Sequence, residues 1–360
     1  MRVLQLIDSL DAGGAERVAV NFANGLQDHI DGSYLCVTRK EGLLKSSIKT
    51  VEHYVFLNKK KTIDLKALLV LKRFIKKHRI AIIHAHSTSI FTAVMVKFLG
   101  ARVKIIWHDH YGKSDYLNER PKWALKFCAL FINYIFSVND KLVYWSKKEL
   151  GFKKTSYLEN FVSFSNQSAE TVLTGEDGYR IVCLANLRPQ KDHMNLINAF
   201  HLFYTAHPKY SLHLIGKDFN DDYSAEIKQL IIDLRLENAV SIYGSRNDTF
   251  QILKQAKIAV LASKSEGLPL ALLEYGYMSL PVVCTNVGDC SKVITAHENG
   301  LLIEAQHPQK LKEALNELVS SPNQATRLGM NLKTTVSNHF SESAILSKVT
   351  EIYKTVAYGY

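Results

Sequence analysis

Twice along its 360 residues the chain alternates short apolar runs with amphipathic helical stretches, and a polar segment separates the two series. In the first series Val3 to Ile7, Ser33 to Thr38, Ile80 to Ile83, Val103 to Trp107 and Ile135 to Val138 read as strands. Helical patterns lie between them, around Val18, Phe22, Ala23 and Leu26, over Asp64 to Arg79 and over Pro121 to Tyr134. In the second, strands at Arg180 to Leu184, Ser211 to Ile215, Val240 to Tyr243 and Ile258 to Ala262 alternate with helices at Met194 to Tyr204 and Ala225 to Arg235. Consecutive parallel strands need a long crossover, which a helix supplies, so each half is expected to form an α/β domain on a parallel sheet. Such a length, 47% hydrophobic, exceeds one comfortable core and suits two. Domains are expected at 1–165 and 179–340, with a hinge at 166–178, where Ser, Asn, Gln and Gly replace large apolar residues.

No run of eighteen apolar residues occurs, and Met1-Arg2-Val3 enters a strand at once, so the reading is a cytoplasmic chain without a leader. Cys36, Cys128, Cys183, Cys284 and Cys290 are odd in number and lack a Cys-x-x-Cys pair, which argues for reduced thiols and against a zinc site. Charge is uneven. Residues 1–170 hold 27 Lys and Arg against 15 Asp and Glu, and the rest hold 18 against 19. The helix over Asp64 to Arg79 reads with Leu65, Leu68, Leu69 and Ile75 inward and Lys66, Lys72, Arg73, Lys76 and Lys77 outward, just after Lys59-Lys60-Lys61. That basic face is a candidate for contact with an anionic membrane, weighed against an ordinary solvated face. Pro121 to Tyr134, with Trp123, Phe127, Leu130 and Phe131, reads as core rather than membrane-facing.

The chemistry concentrates in Ser265 to Pro281. Glu266 and Gly267 precede an apolar run, Leu268 to Met278, with Pro269 near its start and Pro281 after it. Free amides around Gly267 to Leu270 and the positive end of the helix dipole would seat a phosphate, and Glu266 and Glu274 can share one side of the element. Carboxylates beside an anion seat suit hydroxyls on either side of it; the plainer reading makes Glu266 a helix-start acid and Glu274 a solvated one. Arg188 and Lys191 before the helix at Met194 supply forked and point donors for a diphosphate. Gly13-Gly14 lies between a strand and a helix without dinucleotide-fingerprint spacing, which disfavours an NAD enzyme. His84 and His86 point the same way from one strand, with no third ligand near in sequence. His108-Asp109-His110 follows another.

Glu266, seven residues and Glu274 ahead of Pro281-Val282-Val283 resemble the signature of retaining glycosyltransferases of family 4, with further similarity at Gly13-Gly14-Ala15-Glu16, His108, Lys191 and Glu298-Asn299-Gly300. The resemblance implies a GT-B fold, two Rossmann-like parallel-sheet domains facing each other across a cleft, with a last helix in 341–360 crossing back to the first. It implies a donor site of Gly13, Gly14, Arg188, Lys191, Ser245, Gly267, Leu268, Leu270 and Glu274, with His108 and Glu266 at the transferred sugar. The family's usual Arg position is Asn186 here, so Arg188 is the candidate substitute, and His110 is the alternative to His108. Implied too are a UDP-sugar donor, a surface-polysaccharide acceptor (capsule or O-antigen, lipid-linked or free), a soluble or peripheral membrane enzyme, and front-face retention. With no Asp-x-Asp pair placed near the phosphates, neither metal nor other cofactor is expected. A non-hydrolysing nucleotide-sugar epimerase of the same fold and a non-enzymatic basic binder remain alternatives; no nucleic-acid motif is present, so no nucleic-acid partner is expected.

Overall fold

The computed structural model describes residues 1–11, 13–112, 116–162 and 170–359. Part of the expected hinge, 166–169, lies outside them. Two compact units result, residues 1–163 with 342–360 and residues 164–341.

The first unit contains β1 (Arg2–Ser9), α1 (Gly14–Gly25), β2 (Gly32–Lys40), β3 (Tyr54–Phe56), α2 (Leu65–His78), β4 (Ile82–His86), α3 (Ile90–Phe98), β5 (Lys104–Asp109), α4 (Trp123–Ala129), β6 (Tyr134–Ser137), α5 (Asp140–Glu149) and β7 (Thr155–Tyr157). All seven strands pair in parallel, in the order β3-β2-β1-β4-β5-β6-β7. Strands buried on both faces are largely apolar, as in Val3, Leu4, Leu6 and Ile7 of β1 and Ile82, Ile83 and Ala85 of β4, with Gln5, His84 and His86 as the buried polar exceptions. Helices α2, α3 and α4 pack on one face, where Leu68, Leu71, Ile75, Val94 and Leu125 meet Leu4, Leu6, Ile83 and Ile105. On the other face Val18 and Phe22 of α1 share a core with Ile345, Val349 and Tyr353 from the end of the chain.

Three details differ from the sequence reading. In α2 the inward positions are Ala67, Leu68, Leu71 and Ile75, while Leu65 and Leu69 face out. Lys59 does not join the basic surface: it is buried, and its Nζ donates to Thr92 Oγ1 at 3.1 Å. The helix expected over Pro121 to Tyr134 is the short α4, with Tyr134 already in β6. It turns Leu125 and Cys128 inward and leaves Trp123, Phe127 and Leu130 exposed. A helix with large apolar residues on several sides has no single preferred face in its sequence, and the sheet chose the i, i+3 pair.

The second unit runs β8 (Arg180–Leu184), α6 (His193–Tyr204), β9 (Ser211–Ile215), α7 (Asp222–Asp233), β10 (Val240–Gly244), α8 (Thr249–Lys254), β11 (Ile258–Leu261), α9 (Leu270–Tyr277), β12 (Val282–Thr285), α10 (Cys290–Val293), β13 (Leu301–Ile303), α11 (Pro308–Ser320) and α12 (Pro322–His339). Its six parallel strands take the order β10-β9-β8-β11-β12-β13. The final helix α13 (Glu342–Tyr358) packs in the first unit. Among the described residues no helix is long and apolar enough to cross a membrane. All five cysteines are buried and free, and burial pushes the Cys128 thiol up to about 11 and Cys183 up to about 12, so these are inert core thiols.

Candidate active site

In a doubly wound sheet the chain leaves successive strands in opposite directions at the point where the order reverses, and a crevice opens at the strands' carboxyl ends. In the second unit that point lies between neighbours β8 and β11, whose following loops are 185–192 and 262–269. Tyr275 of α9 is fully buried beneath it, with its hydroxyl accepting from Leu184 N at 2.6 Å and donating to Val260 O at 3.3 Å. One side chain thus ties both strands where they part.

The two loops are stitched together. Lys264 N donates to Gln190 O at 2.8 Å, and Lys264 Nζ meets Asp192 Oδ1 at 3.2 Å. Asp192 holds φ +50, a left-handed conformation that Asp tolerates better than most residues, and this turns the chain abruptly into α6. Lys191 Nζ lies 2.6 Å from Glu266 Oε1, and Ser263 Oγ donates to the same oxygen at 2.6 Å. Glu266 is nearly buried whereas the Lys191 side chain keeps about a quarter of its exposure, so the lysine presents a cation at the surface of a fixed carboxylate.

Pro269, at φ −74 and ψ 121, caps the start of α9 from an extended conformation. The Leu268 and Leu270 side chains are buried in the core, so among the expected donor contacts these two can offer only backbone groups. Glu274 also sits on α9, 6% exposed. Gly288, after β12, has φ +55, and a Cβ there would stand 2.0 Å from Glu266 O. The loop after β12 therefore closes directly on the Glu266 backbone, and Asp289 N donates to Gly267 O at 3.1 Å. Sequence reading passed over this role of Gly288, for which a lone glycine is a weak signal.

Asn186 is a structural residue: its Oδ1 accepts from Lys217 N at 2.8 Å, holding the loop after β9. Arg188 is exposed, its guanidinium 4.6 Å from the Phe219 ring, with Lys217 Nζ 5.1 Å from the same ring. An exposed cation–π contact of this kind is worth ~0.5–1 kcal/mol, so Arg188 can turn to a stronger anion at little cost. Lys217 is a cation that motif reading missed. Ser245 follows β10, two strands from β8 along the same carboxyl edge, and its carbonyl accepts from Arg246 Nη1 at 3.0 Å.

The first unit has its own reversal, between β1 and β4. Gly13 caps α1 and Gly14 opens it. Among the described residues no atom beyond its chain neighbours and own helix turn lies within 4 Å of where a Gly14 Cβ would stand, so their packing does not demand glycine there. The strand-end histidines form a buried cluster. His86 Nε2 donates to Gln5 Oε1 (2.9 Å), Gln5 Nε2 donates to Tyr353 Oη (3.3 Å), and Tyr353 donates to His84 Nδ1 (2.5 Å). His86 Nδ1 then accepts from His110 Nε2 at 3.1 Å. That assignment follows from neutral rings, and burial keeps them neutral, with His84 held down at about 3 and His86 and His108 well below their ordinary range.

His84, His86 and His108 bring ring nitrogens within 4.8 Å of one another. A metal needs their in-plane lone pairs to converge. Instead the rings stack, with His84 at 19° to His86 and 16° to His108, so the lone pairs run side by side and the cluster does not fit a metal ion. His108 is 1% exposed and neither of its ring nitrogens has a partner among the described residues. His110, half-buried at the end of β5, is the strand-end ring that reaches the surface. Asp109 serves structure: Arg120 Nη1 and Nη2 grip its two oxygens at 2.7 and 2.8 Å, with the guanidinium 4.2 Å from the Trp145 ring and 4.3 Å from Tyr111.

Comparison with known proteins accords with this arrangement. The model for "Glycosyltransferase Family 4" matches residues 12–162 and that for "Glycosyl transferases group 1" matches residues 166–335. An Anabaena protein, HepE, crystallised with UDP-glucose superposes with a TM-score of 0.78 at 18% identity, covering 99% of this chain and 100% of that one. Sucrose-phosphate synthase of Thermosynechococcus elongatus does so with 0.77 at 17%, covering all of both. An uncharacterised glycosyltransferase of Haemophilus influenzae is 22% identical over 86% of this chain and 88% of its own. The Escherichia coli UDP-Gal:alpha-D-GlcNAc-diphosphoundecaprenol alpha-1,3-galactosyltransferase is 23% identical over 81% and 79%. Two parallel-sheet α/β domains of this order define the GT-B class. Within it, the chain belongs to glycosyltransferase family 4.

Proposed function

We propose that the protein transfers a sugar, with retention of anomeric configuration, from a UDP-sugar to a hydroxyl of a saccharide acceptor in surface-polysaccharide assembly, and that the acceptor is carried on a lipid diphosphate. The observation that carries this reading is the Lys191–Glu266–Ser263 cluster beside the amino end of α9 at the β8/β11 crossover. The donor is supported by the UDP-glucose complex of the Anabaena neighbour, and the acceptor by the name of the Escherichia coli relative.

In this reading Lys191, Arg188 and the first amides of α9 hold the diphosphate, Glu274 accepts from the ribose hydroxyls and Glu266 from those of the sugar. Charge grows on the leaving phosphate as the C1–O bond breaks, and cations and helix amides already in place stabilise it in the transition state. The acceptor oxygen bonds to C1 from the same face, and its proton passes to the leaving phosphate oxygen. His110, fixed as an Nε2–H donor toward His86, keeps its Nδ1 lone pair for a substrate hydroxyl. Because side chains and helix amides carry the phosphate charge, turnover proceeds without a divalent metal.

The test is UDP affinity by calorimetry and sugar transfer in Lys191→Ala and Glu274→Ala. A charge-assisted bond contributes ~1.5–3 kcal/mol, so each variant is expected to lose roughly ten- to a hundredfold in donor affinity. Unchanged affinity and transfer in both would overturn the assignment. Loss of turnover in EDTA, restored by Mg²⁺, would overturn metal independence.

A further inference from the structure

Helices α2, α3 and α4 cover one face of the first unit's sheet, with α3 packed against both of the others. The outer side of this layer is unlike the rest of the surface. Trp123 is 80% exposed, Leu130 77%, Phe98 57% and Phe127 53%. These are not scattered residues. Trp123, Phe127 and the capping residue Leu130 follow i, i+4, i+7 spacing along one side of α4 and its end, and Phe98, at the end of α3, stacks on Phe127 with centroids 5.9 Å apart and planes 9° from parallel. Phe98 also meets Phe131 edge-on at 4.6 Å.

Cations ring this patch. Lys126 Nζ lies 5.6 Å from the Trp123 ring, Lys97 reaches the Phe131 carbonyl at 3.2 Å, and exposed Arg102 and Lys104 follow α3. The acid Glu149 is neutralised by Lys122 at 2.7 Å. Further along the same layer, α2 exposes Lys66, Arg73, Lys76 and Lys77, and Lys72 ties it to α3 through the Leu99 carbonyl at 2.6 Å.

We propose that the outer side of α3 and α4 is a membrane-docking face, with Trp123, Phe127, Leu130 and Phe98 entering the headgroup region of a leaflet rich in anionic lipid and the surrounding lysines resting on its phosphates. Exposed apolar patches mark interaction sites. An aromatic and leucine patch framed by lysines matches the lipid interface, where amphipathic rings and long cationic stems both find favourable surroundings. A cationic frame selects against a basic partner and for an anionic surface, to which each lysine close to it adds attraction. The basic side of α2 then steers the approach, and the α4 patch provides the anchor. Neither role depends on the donor chemistry proposed for the second unit.

Trp107 and Trp145 are buried, so Trp123 is the tryptophan whose emission reports on docking. With vesicles of phosphatidylglycerol and phosphatidylcholine the intact protein should sediment, and its emission should shift to the blue and be quenched by brominated lipid. Phosphatidylcholine alone should give far weaker binding. Phe127→Ser/Leu130→Ser keeps the reporter and should lower the partition coefficient about tenfold or more. Trp123→Ser, at the most exposed position, is the second variant and should lower sedimentation similarly with an unchanged melting curve. Three results would overturn the proposal: no sedimentation with anionic vesicles, sedimentation with Trp123 emission unmoved, or a concentration-dependent dimer in ultracentrifugation that Leu130→Ser abolishes. Docking without sugar transfer would leave this inference standing while removing the proposed function.

Discussion

Gly288→Ala tests whether the loop after β12 sets the geometry of Glu266. The substitution acts in two ways. At φ +55 an L-residue costs ~1–2 kcal/mol that glycine does not. The new Cβ would stand 2.0 Å from Glu266 O, against 3.4 Å for ordinary contact, so backbone must yield by the 1.4 Å difference between these two distances. The obstacle is a main-chain carbonyl, not the end of a flexible side chain, and overpacking of this kind costs ~1–3 kcal/mol. Together the terms amount to ~2–5 kcal/mol, a large part of the ~5–15 kcal/mol that keeps a domain folded. For a domain of this size that corresponds to a fall in Tm of roughly 4–20 °C. Calorimetric melting measures it, and UDP titration should show weakened binding because Glu266, which holds Lys191, and the backbone leading into α9 move with the loop. Gly14→Ala is the contrasting variant: among the described residues beyond its own helix turn nothing lies within 4 Å of its Cβ, so its Tm should stay close to the parent's. A Gly288→Ala protein with parental Tm and UDP affinity would refute the reasoning.

Two further predictions concern stability. Asp109→Asn leaves the Arg120 guanidinium, 8% exposed, without its counter-charge and should cost about 3–5 kcal/mol in denaturant unfolding, whereas Asp109→Leu/Arg120→Leu should recover much of that loss. The buried histidines make stability depend on pH: burial holds His84 at about 3 and His193 and His213 at about 4, below the ordinary 6.5. The unfolded chain therefore binds protons first, so stability is full above about pH 6.5 and falls as pH drops toward those values, by up to ~1.4 kcal/mol per unit for each histidine. Denaturant midpoints unchanged between about pH 7.5 and about pH 5 would contradict this.

The strands ending in Leu184 and Leu261, and the loops that follow them, were legible in the sequence, because an apolar run followed by polar residues and a helix start is a local signal. The neighbourhood of Lys191 and Glu266 was not, since 75 residues separate them. Strand order alone brings their loops together. Among the histidines the sequence showed two candidates on one strand end. Burial distinguished them, with His108 buried beneath α1 and His110 half-buried. Trp123, Phe127 and Leu130 were misjudged because hydrophobicity records a preference for burial without saying whether the fold has room.

By itself the sequence determined that each half must be a parallel α/β sheet, that the thiols stay reduced, and that carboxylates and cations fall in loops after strands, since these depend on periodicity and on residues close along the chain. The tertiary structure alone decided that Gly288 closes on Glu266, that Lys59 is core and not surface, and that the aromatic side of α4 is left to solvent. Such contacts join residues far apart in sequence, and which of several similar side chains is buried depends on the space that neighbouring elements leave once they have packed.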